Sequence, residues 1–108
     1  MNTLSNDINL NKAMDIIFRV INPDKIILFG SRAKGNYTDD SDYDLLILTD
    51  SIKDKRKKLS EIYRNLLGLK LAIDIIIETK EDYVKNKDNK FMIYNTIEKE
   101  GNVLYERK

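Results

Sequence analysis

Three groups of residues in this sequence have types and spacings that can do chemistry: Gly30-Ser31-Arg32-Ala33-Lys34-Gly35, Asp42-Tyr43-Asp44, and Asp74. The first follows directly on a short apolar run, Lys25 to Phe29. Glycine lets a backbone turn sharply and approach a ligand closely. Amides at a helix start favour an anion. With the Ser31 hydroxyl and the charges of Arg32 and Lys34, the segment can cradle a phosphate; its plainer reading is a tight turn carrying a surface Arg and Lys. Two familiar phosphate loops are excluded. A Walker A loop needs Lys and then Ser or Thr after its second glycine, but Asn36 and Tyr37 follow Gly35. The dinucleotide fingerprint needs glycine where Arg32 stands.

Asp42 and Asp44 open a second strand-like run. Residues i and i+2 of a strand share a face, about 6.6 Å apart. Two such carboxylates repel unless a cation sits between them, and hard oxygen ligands suit Mg²⁺. An acidic strand end in solvent is the bland alternative. A calcium loop starting at Asp40 is excluded, because Leu45 and Ser51 occupy the positions that need Gly and Glu. Asp74 interrupts Leu71-Ala72-Ile73-Asp74-Ile75-Ile76-Ile77, a run that reads as a buried strand. A carboxylate there needs a cationic partner, a hydrogen-bond network or a metal ion. A phosphate cradle with three strand carboxylates suits two-metal phosphoryl or nucleotidyl transfer, in which a metal pair clamps the attacking and leaving oxygens.

The elements that must position these groups follow from periodicity. Leu10, Met14, Ile17 and Ile21 repeat at helical spacing from Asp7 to Ile21, with Ser5, Asn6 or Asp7 as cap and Pro23 beyond the end. Strands are expected over Lys25–Phe29, Tyr43–Leu48 and Leu71–Glu78, and a closing strand over Val103–Tyr105. Gly30–Gly35 is a turn opening a short helix, and Asn36–Ser41 a loop. A helix over Lys53–Leu67 buries Leu59, Ile62, Tyr63 and Leu66, with Gly68 at its left-handed end. Two short helices span Lys80–Lys87 and Phe91–Lys99. The connection from the first strand to the second is too short for a crossover helix, so the sheet is antiparallel there or mixed. The fold class is α/β in the α+β sense: a small mixed sheet flanked by helices. Tyr43 should face away from the acids into the core, and Tyr37 should be exposed. The basic run Lys53–Lys58 reads as a solvated helix face.

The chain has 108 residues, 42 % apolar and 34 % charged, with a net charge of +1. One domain over residues 1–108 is expected. It has no Cys and no His, which excludes disulfides, thiolate nucleophiles, Cys/His zinc sites and His-based triads. The balanced charge offers no general attraction to nucleic acid or membrane. Apolar runs fall far short of the ~20 residues that span a bilayer. Without Cys or an export-like N-terminus, the cytoplasm is the expected compartment.

Gly30-Ser31-Arg32-Ala33-Lys34-Gly35, five residues, then Ser41-Asp42-Tyr43-Asp44-Leu45, with Asp74 on the next strand, resembles the signature of the polymerase-β-like nucleotidyltransferases. The resemblance covers Lys25 to Glu78. The short chain most resembles the minimal nucleotidyltransferases (MNT), the antitoxin-type partners of HEPN-domain proteins; aminoglycoside nucleotidyltransferases are more distant. The resemblance implies a polymerase-β-like fold and ATP as nucleotide substrate. It assigns Gly30, Ser31 and Arg32 to the triphosphate. It assigns Asp42, Asp44 and Asp74 to two Mg²⁺ ions, with Asp74 helping to deprotonate an acceptor hydroxyl. It further implies transfer of AMP to a hydroxyl of a HEPN-type partner protein. A module that only docks to a partner, and an aminoglycoside-type enzyme, are the competing readings. The apolar residues after Glu78 (Tyr83, Val84, Phe91, Met92, Ile93, Ile97) can cover a sheet. They can hardly also wall an acceptor pocket of ~300 Å³, so another chain is expected to present the acceptor.

Overall fold

The computed structural model describes residues 7–38 and 41–107. Ser5 and Asn6, considered as helix caps, and Asp40, the first position of the excluded calcium loop, lie outside the described residues. Asp7 is the N-cap: its side chain accepts from the Leu10 amide at 3.1 Å and starts α1 (Ile8–Val20). Serving one of the orphan amides of a helix start is what short polar caps do. Arg19 in the last turn suits the negative end of the helix dipole.

A four-stranded sheet follows in the order β3-β2-β1-β4, built from β1 (Lys25–Phe29), β2 (Tyr43–Thr49), β3 (Ile73–Thr79) and β4 (Asn102–Glu106). β1 is antiparallel to both β2 and β4, and β2 is parallel to β3, so the sheet is mixed as expected. The parallel step has room for α3 (Lys55–Leu66) between the strands. Alternation along the strands divides the core. Tyr43, Leu45 and Ile47 face α1 and α3, with Leu10, Ala13, Ile17, Ile26 and Ile62. Phe29, Leu46 and Leu48 face α4 (Lys80–Asn86) and α5 (Ile93–Glu100), with Tyr83, Tyr94 and Ile97. A strand covered on both faces reads as a continuous apolar run, and Leu45 to Leu48 is one. Each fully buried aliphatic side chain there stabilises the fold by roughly 1.5–3 kcal/mol.

Three expectations need correction. The left-handed residue after α3 is Lys70 (φ 52°), not Gly68, because the helix tightens into a 3₁₀ turn over Leu67–Leu69 before the chain reverses. α5 starts at Ile93, with Met92 as its cap, so Phe91 lies in a turn and is 96 % exposed. β3 is an edge strand beginning at Ile73, and Asp74 is exposed rather than buried. The basic run Lys53–Lys58, which leads into and opens α3, is exposed apart from the half-buried Lys58, in line with a solvated helix face. Among the described residues, no helix is long and apolar enough to cross a membrane.

Candidate active site

β1 delivers the chain to Gly30, whose φ of 77° and ψ of −160° form a conformation that side chains disfavour. A Cβ at Gly30 would also collide with the Asp44 carboxylate. Glycine is therefore required twice, once for the turn and once for the approach of an acid. α2 (Ser31–Lys34) starts immediately, its turn closed by the Ala33 and Lys34 amides donating to the Gly30 carbonyl at 3.1 and 3.2 Å. The first amides of such a turn have no acceptor within the helix. Gly35, at φ 82°, ends it. Two contacts tie α2 to the far side of the sheet: Lys34 pairs with Glu100 at 2.9 Å, and Asn102 Nδ2 donates to the Ala33 carbonyl at 3.1 Å.

The acids are assembled by strand register. Asp44 lies opposite Phe29, the residue before Gly30, and in parallel register beside Asp74. Neighbouring strands are about 4.8 Å apart, so the two acids stand side by side on the α4–α5 face. Asp42, two residues earlier, has the same parity and is exposed. Burial, and then the charges of Asp74 and Asp42, push the Asp44 carboxyl above its usual range. Among the described residues none of the three acids takes part in an ion pair. Nor do any three Asp, Glu, His or Cys side chains there close to metal-holding distances. The acids are aligned in a row at the sheet end but not converged. Carboxylates that repel one another, Asp44 half-buried and Asp42 and Asp74 exposed, are a donor set that fits a hard divalent ion.

Arg32 points elsewhere. Its Nε donates to the Ser41 carbonyl at 3.0 Å and its Nη2 to that of Thr38 at 3.4 Å. Its guanidinium lies over the Tyr43 ring at 3.9 Å and the Tyr37 ring at 4.8 Å. Tyr43 is buried in the core, as its parity required, and its hydroxyl donates to Asp7 Oδ2. Burial, with that bond and the Asp7 charge, pushes the phenol up to about 12. Asp7 and Tyr43 thus join the support of the site, which sequence reasoning did not find. The cap signal marked Asp7, but nothing local links it to a tyrosine 36 positions away.

The family model described as Polymerase beta, Nucleotidyltransferase matches residues 7–108. The Putative protein adenylyltransferase MJ0604 of Methanocaldococcus jannaschii is 40 % identical over 81 residues, which cover 75 % of this chain and 77 % of that protein. A chain in the crystal structure of a toxin–antitoxin with AMP-PNP superposes with a TM-score of 0.68 at 19 % identity, covering 94 % of this chain and 76 % of that one. A chain in the structure of a tri-AMPylated Shewanella oneidensis HEPN toxin with its MNT antitoxin gives 0.61, also at 19 % identity, covering 92 % and 71 %. The polymerase-β-like fold expected from the signature is thereby shown.

Proposed function

The chain belongs to the polymerase-β nucleotidyltransferase family, and from that premise we propose that it transfers AMP from ATP to a hydroxyl of a partner protein. The observation that carries the reading is the register that stands Asp44 beside Asp74 and against the bare face of Gly30. Gly30 and Ser31 take the β- and γ-phosphates. Asp42, Asp44 and Asp74 hold two Mg²⁺ ions. When bound, these ions neutralise the triphosphate and stabilise the charge that develops during transfer. Asp74, exposed at the sheet edge, is placed to accept the acceptor's proton at its carboxylate. The acceptor oxygen then bonds to the α-phosphorus as the bond to pyrophosphate breaks. Positioning and charge neutralisation suffice for such chemistry, so a chain without His or Cys can perform it.

The acceptor belongs to another chain. Val84, Phe91, Met92 and Ile93 face solvent instead of walling a pocket beside the acids. The likeness to the Putative protein adenylyltransferase MJ0604 and the AMPylated HEPN toxin of the structural neighbour support a HEPN-type partner, with this chain as the antitoxin of the pair. The test is incubation with such a partner, α-³²P-labelled ATP and Mg²⁺. Label should appear on the partner and disappear in chelator. A stable complex without label would leave docking alone as the function. Label on an added aminoglycoside, with no partner present, would make the acceptor a small molecule.

A further inference from the structure

We infer that Arg32 is a positioning residue: it fixes the backbone from which Asp42 and Asp44 project, through the Ser41 carbonyl and the Tyr43 ring, rather than binding phosphate. The inference rests on the reading of those acids as metal ligands. Its basis is the commitment of the whole guanidinium. The Arg32 side chain is only 11 % exposed. Nε and Nη2 serve the Ser41 and Thr38 carbonyls, Nη1 lies 4.0 Å from Asp7 Oδ2, and Cζ lies over two tyrosine rings. Thr38 and Ser41 are themselves joined twice, Ser41 N to the Thr38 carbonyl and Thr38 N to Ser41 Oγ, each at 3.0 Å. Ser41 immediately precedes Asp42. Tyr43, immediately after it, donates its amide to the Ala72 carbonyl at 2.9 Å and so begins the ladder that sets Asp44 beside Asp74. Asp42 is thus held between two residues that Arg32 grips.

Only a planar, five-donor fork can serve two carbonyls and stack on two rings at once. Lysine keeps the charge and loses the geometry. That difference separates the two roles. Groups that orient metal ligands typically cost 10–100-fold in metal affinity or activity when removed. Titration of the full chain with Mn²⁺, read by electron paramagnetic resonance, should show Arg32→Lys and Arg32→Ala weakening Mn²⁺ binding alike, by about 10-fold or more. In transfer assays at saturating ATP kcat should fall, and Arg32→Lys should not restore it. Amide exchange at Ser41, Asp42 and Tyr43 should quicken. Tyr37→Ala, at an exposed ring, spares the core and should weaken Mn²⁺ in the same direction by less, so the role can be tested even if the Arg32 variants melt early. Arg32→Lys with unaltered Mn²⁺ binding, or Arg32→Ala raising KM for ATP with rescue by Arg32→Lys, would overturn the inference and make Arg32 a phosphate ligand. Absence of Mn²⁺ binding by the unsubstituted chain would overturn both this role and the metal-site reading beneath it.

Discussion

Where β1 begins and β2 ends, Asp24 pairs with Arg107 at 3.4 Å, Lys25 with Glu106 at 3.8 Å and Lys80 with Asp50 at 3.4 Å. Glu98 meets Lys87 at 3.7 Å and accepts from the Tyr83 hydroxyl at 2.7 Å. Nearly all these residues line one cavity of about 210 Å³. At the opposite end of the same sheet, Asp42, Asp44 and Asp74 share a face with no cation among the described residues. The carboxyls respond in opposite directions. Chiefly through the Tyr83 bond, helped by Lys87 and Lys25, Glu98 falls below its usual range. Burial and the neighbouring acids raise Asp44. One end satisfies its charges from within the chain, while the other leaves them to whatever binds there.

The contrast breaks most sharply at Asp44. Asp44→Asn should lower transfer at least ~100-fold, the upper range for groups that merely support metal ligands. It should also raise the melting temperature of the metal-free chain at pH 7. A folded pKa above the unfolded value gives stability that is full below the unfolded pKa and lost as pH rises through the folded one. The ionised, repelled Asp44 at pH 7 is therefore a penalty that asparagine lacks. Thermal melts from pH 3 to 8 should show the variant's advantage growing with pH, and Mg²⁺ should stabilise the original chain but not the variant. An advantage that is constant with pH would mean that packing, not charge, was altered.

Gly30→Ala comes next in size. It forces a residue with a Cβ to adopt φ 77° and sets a methyl group against the Asp44 carboxylate. Strain of this kind costs about 1–3 kcal/mol, measurable by urea denaturation, and displacement of Asp44 should lower transfer as well. The smallest effect belongs to the matched end. Glu106→Gln should cost less than about 1 kcal/mol, since Glu106 is exposed and such pairs are weak. The loss should shrink in high salt, and transfer should be unchanged. A larger loss of transfer would mean that the two ends are coupled.

The strands were legible because their residues carry the signal themselves: Lys25 to Phe29 and Leu45 to Leu48 are apolar on both faces and bounded by turn residues. The pairing of Asp42 with Asp44 was legible for a similar reason, since parity within a strand is a local property; Asp74 joins them through the register between strands. What escaped is set by neighbours distant in the chain. Asp74 reads as buried because its run is apolar, yet strand order, which no local pattern encodes, puts it at an edge. The turn after α3 was given to its glycine, but the extra 3₁₀ turn carries the reversal to Lys70. The contacts of Arg32 were not legible either. Its carbonyl partners lie six and nine residues on, in a loop whose path no residue pattern gives, and its two rings flank the same loop.

β3 also has an outward flank. Four isoleucines within five positions, on a strand with no neighbour beyond it among the described residues, make a segment of the kind that recruits another chain into intermolecular pairing. The Tyr63 hydroxyl occupies the Ile75 amide at 2.8 Å and so blunts one of the free donors on that flank. Asp74 supplies the second protection, an exposed charge in the middle of the sticky run, where a gatekeeper belongs. The carboxylate proposed for the reaction thus also stands guard against strand pairing. Neutralising it removes a proposed metal ligand and an edge charge at once, so an inactive Asp74→Asn preparation must be shown to be monodisperse before its inactivity is read as chemistry.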